Sequence, residues 1–173
     1  MQSSARPAPS RVVVVAVASI ELLAICVWAG GLVALGAVAA PLVFGIVPTP
    51  TSADAMTAVF LRFDRVAMTC AAIALVCEAT FAVRGGKTSG QDVVRGAVVV
   101  LTAALAIGQG AWLSPGIAEL HRGGAIRGLG DAGLALERLH RLSETVGKSE
   151  LALLFVAVVL VVAKVSRAST PPT

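Results

Sequence analysis

The chain contains no tyrosine, only 4% aromatic residues and just two histidines. Charged residues come to 14%, well below the share of about 25% in soluble domains. These scarcities exclude functions before any motif is read. A nucleic-acid surface needs exposed aromatics beside basic residues, so a net charge of +4 alone gives no reason to expect a nucleic-acid partner. A nucleophilic enzyme needs a nucleophile, a base and an orienting group within reach of one another. His140 and Ser143 stand three apart on one helix with no glycine-rich elbow nearby, and an enzyme is not expected. The three cysteines, Cys26, Cys70 and Cys77, form no Cys-x-x-Cys pair. Cys70 and Cys77 share a helix face near Met68, a soft donor set suited to copper(I), but buried cysteine ordinarily acts as a small hydrophobe. No metal and no cofactor are expected.

What the chain has in abundance is apolar surface. Hydrophobic residues make up 57% of it and the mean hydropathy is +0.87, outside the range of soluble domains. The lipid bilayer is therefore its expected partner. The expected fold is all-α, an integral membrane bundle of four transmembrane helices over residues 12–167, flanked by a disordered tail at 1–11 and a second tail at 168–173. Residues 12–47 exceed the roughly 20 needed to cross the hydrocarbon. Pro41, which lacks an N–H and clashes with the preceding turn, is expected to break or kink this first helix. Along it, Glu21, Ala24, Trp28 and Leu35 share one face with Gly31 at its edge, and a carboxylate in lipid should look inward.

Ser52 or Asp54 is a candidate cap for the second helix. Its span places Asp64, Ala67, Ala71, Ala74, Glu78 and Ala82 on one stripe, where small residues let two backbones approach. The third span is uncharged from Gly96, carries its own small-residue stripe of Ala97, Ala104, Gly108 and Ala111, and is expected to stop at Ser114-Pro115. The last apolar core, Leu151 to Ala163, is too short to cross, so the fourth helix must begin near Leu134 and draw Glu150 to membrane depth. His140, Ser143, Gly147 and Glu150 fall in one sector of it. Glu137 with Arg141 and Glu144 with Lys148 are i,i+4 pairs of a solvated helix. Glu137-x-x-His140 has the spacing of a di-iron ligand pair, but a second copy is missing.

Trp28-x-Gly30-Gly31, Ala40-Pro41-x-x-Phe44, Phe60-x-Arg62-Phe63, Ser114-Pro115-x-Ile117 and Leu139-His140-x-x-Ser143 occur in that order. The series resembles the small four-helix membrane family of unknown function that includes the eukaryotic transmembrane protein 205, over roughly Glu21 to Ala163. The resemblance implies a four-span bundle and no particular activity. The first-helix pattern is more distantly similar to copper-resistance inner-membrane proteins, whose additional membrane histidines and methionines this chain lacks.

Two functional readings follow. In the first, Glu21, Glu78, Asp64, Glu150, His140 and Ser143 form a polar path serving transport or stress and metal tolerance. Glu21 and Glu78 could then face each other and share a proton. In the second, the chain is a structural or accessory module that assembles with itself or another membrane protein through its small-residue faces. Four spans put both termini on one side. Lysines and arginines divide evenly between the two sides, and their closeness to the span ends favours a cell (inner) membrane with cytoplasmic termini.

Overall fold

The computed structural model describes residues 11–84 and 89–169. Residues 1–10 of the expected tail at 1–11, residues 170–173 of the expected tail at 168–173, and part of the polar loop after Arg84 lie outside them, while Arg11 and residues 168–169 belong to helices. Four helices long and apolar enough to span a membrane make up the described chain, with no strand among the described residues. We label them α1 (Arg11–Ile46), α2 (Thr51–Arg84), α3 (Gly90–Arg122) and α4 (Gly130–Ser169). They form a ring in which α1 packs on α2 and α4, and α3 packs on the same two neighbours.

The interior is built mainly from small side chains. Ala18 and Ala24 of α1, Ala67, Ala71 and Ala74 of α2, Ala103 and Ala106 of α3, and Ala157 of α4 are all buried, with Trp28, Ile25, Leu154 and Val161 filling the spaces between them. Lipid offers helices no hydrophobic reason to associate, so close packing of small residues has to supply the attraction.

The prolines do not end their helices. α1 runs through Pro41 to Ile46, and α3 runs through Pro115 to Arg122. Before each proline the chain widens into π-helix, at Ala34–Ala39 and again at Gln109–Leu113. The N–H of Ala40 donates to the carbonyl of Leu35, and that of Ser114 to the carbonyl of Gln109, each reaching back five residues instead of four. The wider turn accommodates a ring that would otherwise strike the carbonyl one turn back. The expected stop at Ser114-Pro115 is thus corrected, and the expected break near Pro41 is not seen.

Other expectations change with packing. Ser52 lies inside the first turn of α2, its buried hydroxyl unpartnered, and does not cap it. Ala82 is exposed, and Phe81 takes the inward position. On α3 the expected stripe faces outward: Ala97, Ala104 and Ala111 are exposed, while Arg95, Val99, Thr102, Ala103 and Ala106 are buried. The connection to α4 turns through Gly124, Gly128 and Gly130, all in the left-handed region that glycine alone adopts without strain.

Trp28 is 1% exposed and Trp112 is 79% exposed, which gives a direct check of the inward face of α1. In bilayers of brominated lipid, the Trp28→Phe variant should lose most of its fluorescence, because Trp112 meets the acyl chains. The Trp112→Phe variant should keep most of it. Equal quenching of the two would show that α1 is rotated.

Candidate functional site

Polar side chains run down the inside of the ring in three groups. The group nearest the termini is an ion network. Ser89 caps α3 reciprocally with Asp92: its hydroxyl accepts from the Asp92 N–H and its own N–H donates to the carboxylate. One turn on, Arg95 is 2% exposed and forks onto Glu78, with Nη2 donating to Oε2 at 3.0 Å and Nε donating to Oε1. Its Nη1 donates to Asp92 Oδ1 at 3.0 Å, and Lys164 Nζ of α4 donates to the same oxygen at 2.9 Å. Both cations also lie over the Phe81 ring, 5.0 Å and 4.1 Å from its centroid.

Beside this network stands Glu21, completely buried, with no hydrogen-bond partner for either carboxyl oxygen. The charged groups that act on it are Glu78, Arg95 and Lys164. Glu21 and Glu78 stand side by side, and Arg95 is an additional partner that the sequence reading did not include. Glu78 is taken up by Arg95, and Glu21 is left beside the pair.

The middle group is about 10 Å further along α1, taking seven residues at about 1.5 Å each. Trp28 Nε1 donates to Glu150 Oε2 at 3.2 Å, tying α1 to α4. Asp64 of α2 is buried beside Ser114, and its charge reaches Glu150. Its Cβ is only 3.0 Å from where a Cβ on Gly110 would stand, so the π-helical stretch of α3 lies against it. From that stretch Gln109 Nε2 donates to Ser114 Oγ at 3.0 Å and to Ser143 Oγ at 2.7 Å. π-Helical turns are frequent at functional sites because they redirect side chains out of the regular ladder.

At the far end His121 and His140 meet edge-on, their Nε2 atoms 3.4 Å apart. Glu137 is held by Arg127 and by Arg141 at 2.9 Å, and Glu144 by Lys148 at 2.7 Å, all at the exposed rim. Among the described residues no three histidine, cysteine or acidic side chains converge as a metal-binding group. Phe44 is exposed on the outer surface. Gly30 is open to space, whereas Gly31 presses on the Phe63 ring.

The structure thus brings Glu21 near Glu78, Asp64 near Glu150, and Ser143 and His140 onto partners from α3. Sequence reasoning missed Arg95, Asp92 and Lys164 as network members and Gln109 as the centre of a polar junction. The available signals were Asp92-x-x-Arg95 heading an apolar span, and Gln109 as a lone amide within one.

Residues 23–125 match a family described as a domain of unknown function, DUF4149. The match covers Trp28, Asp64, Glu78, Arg95, Gln109 and Ser114, and ends in the turn before α4; Glu21 precedes it. No curated protein and no solved structure matches the chain.

Proposed function

We propose a transport function for this chain, which belongs to the DUF4149 family of unknown function: a multi-pass membrane protein whose interior file of carboxylates moves protons or small cations. The observation behind this reading is Glu21. An ionisable group in hydrocarbon is costly and is ordinarily retained for a task, and here the side chain is fully buried with both oxygens unpartnered. Glu78, Glu21, Glu150 and Asp64 together cover a long part of the crossing. Asp64 and Glu78 lie fourteen residues apart on α2, about 21 Å along a helix, against a hydrocarbon thickness of about 30 Å. The proposed orientation keeps both termini in the cytoplasm, which a reporter fused at Thr173 would test. A relation to transmembrane protein 205 is part of the same proposal and is supported by the order of the motifs alone.

The experiment is proton flux into liposomes holding the purified protein, driven by an imposed potential and read with an enclosed pH dye. Glu21→Gln keeps the size of the side chain and should reduce the flux at least tenfold with unchanged protein content. Flux in that variant equal to the parent's would remove the transport reading. Glu78→Gln is a poorer probe, because it also strips Arg95 of its partner.

The second reading, an assembling module, is favoured by the outward stripe of α3. Gly108 has open space at its Cβ position, and Trp112 stands exposed nearby. On this reading Gly108→Leu changes the oligomer size in gentle detergent while leaving the fold intact, and Glu21→Gln has little effect on any readout. Ala71→Leu cannot report assembly, since Ala71 is buried within the bundle itself.

A further inference from the structure

We propose that His121 and His140 form a latch, which holds the end of α3 against α4 by one hydrogen shared between the two rings and is driven apart when both rings are charged. This goes beyond the transport reading and does not depend on it.

The two rings meet head-on. Their Nε2 atoms are 3.4 Å apart and their centroids 5.7 Å apart. The difference is no more than two ring radii, so each nitrogen lies on the line between the rings and points at the other. A ring nitrogen either carries a hydrogen or offers a lone pair. Two lone pairs on this line repel, and so do two N–H groups. One hydrogen between the rings satisfies both. The separation is a little longer than the usual range of about 2.7–3.2 Å for an N–H donor and an oxygen acceptor, which leaves the contact room to shorten when a first added proton makes it charge-assisted.

The surroundings decide what a second proton does. The groups that act on His140 are Arg127 of the connection, His121 of α3 and Glu137 of α4. Glu137 is already engaged by Arg127 and Arg141. Glu119 and Arg122 of α3, Arg138 of α4, and Asp54 and Arg62 of α2 are exposed, and α1 carries no charged residue after Glu21. Once both Nε2 atoms carry hydrogen, two positive rings therefore face each other with Arg127 beside them, and attraction turns to repulsion. The part free to yield is the connection, which turns through three left-handed glycines and exposes Ile126 and Leu129. The next tie between α3 and α4, from Gln109 to Ser143, lies about one turn of α4 further in. The latch can thus open the end of the bundle while the middle stays joined.

The chain has two histidines in all, so ring-nitrogen NMR of the full protein, labelled at histidine and held in phosphatidylcholine bilayers, reads the pair alone. Between pH 8 and pH 4.5 the expected result is two separate protonation steps, the first seen by both rings and the second at least about one pH unit lower. Opening is read from spin labels at Ile46→Cys and Leu129→Cys, both exposed positions, with Cys26, Cys70 and Cys77 replaced by alanine. The width of the distance distribution should at least double in step with the second protonation. His121→Gln should leave His140 a single step and a width that acid does not change. Because that variant could fail to fold, His140→Gln serves as its counterpart, and the NMR reading on the parent needs no variant. Two rings that titrate independently, or a parent distribution unchanged through the second step, would overturn the latch. So would the same broadening in His121→Gln, which would assign the movement to Glu137 releasing its arginines.

Discussion

Arg95→Leu melts well below the parent protein, by about 10 °C, when loss of the monodisperse peak is followed by size exclusion after heating. The expectation comes from what the substitution leaves behind. Arg95 is buried at 2% exposure and forks onto Glu78, whose side chain is 12% exposed. Removing one partner of such a pair leaves an uncompensated charge inside the bundle, at a cost of about 3–5 kcal/mol. For a chain of 150–250 residues each kcal/mol lowers the melting temperature by about 2–4 °C. Asp92 fares better, since Lys164 at 2.9 Å and the Ser89 cap remain. The double variant Glu78→Leu with Arg95→Leu removes both charges and should recover most of the loss, because a buried ion pair and an apolar pair of similar volume are often near parity. An Arg95→Leu protein that melts with the parent would mean that water reaches the pair.

The second large effect is expected at Gly31→Leu, with Gly30→Leu as its control. A Cβ on Gly31 would stand well inside contact distance of the Phe63 ring, while one on Gly30 meets nothing within 4 Å. Two neighbouring glycines therefore separate the steric role from any general property of glycine in this helix. Overpacking of this kind costs about 1–3 kcal/mol, and Gly30→Leu should be close to neutral. Phe63→Ala in the Gly31→Leu background should restore most of the stability by making room. If Gly30→Leu were as damaging as Gly31→Leu, the pair would be serving helix flexibility and not the α1–α2 contact.

Much of the architecture was legible because the bilayer imposes strong rules. A span length, an apolar window and a carboxylate that must turn inward were enough for four helices and for the inward placement of Glu21 and Trp28. The Asp64-to-Ala74 face of α2 was legible for the same reason. The α3 face was not. Ala97, Ala104 and Gly108 have the same heptad-like spacing as the buried Arg95, Thr102 and Ala106, two residues out of step, which is about 200° around the helix. Small and apolar residues on both sides cannot break that tie. Arg95 does, but only once Glu78 is known to be its partner, and a charge at a span end reads by default as a lipid headgroup anchor. The prolines misled for a related reason. A clash with the turn before is a local rule, and the wider π-helical turn that absorbs it has no single-residue signature. The Asp64–Glu150–Gln109 group joins three helices, so no local window contains it.

The Glu78–Arg95 fork has a consequence for how the chain is made. Its two ends are seventeen residues apart, across one short connection, and both lie on the α2–α3 hairpin. Emerging from the ribosome one at a time, each helix would present the insertion machinery with an isolated charge, which costs up to about 2.5–3.5 kcal/mol at mid-membrane and less towards a span end. Entering as a hairpin, they present a matched pair. The hairpin is thus the natural unit of insertion, ready before α4 has been synthesised. Lys164, arriving last, then closes onto Asp92 and locks a ring whose opposite wall is already in place.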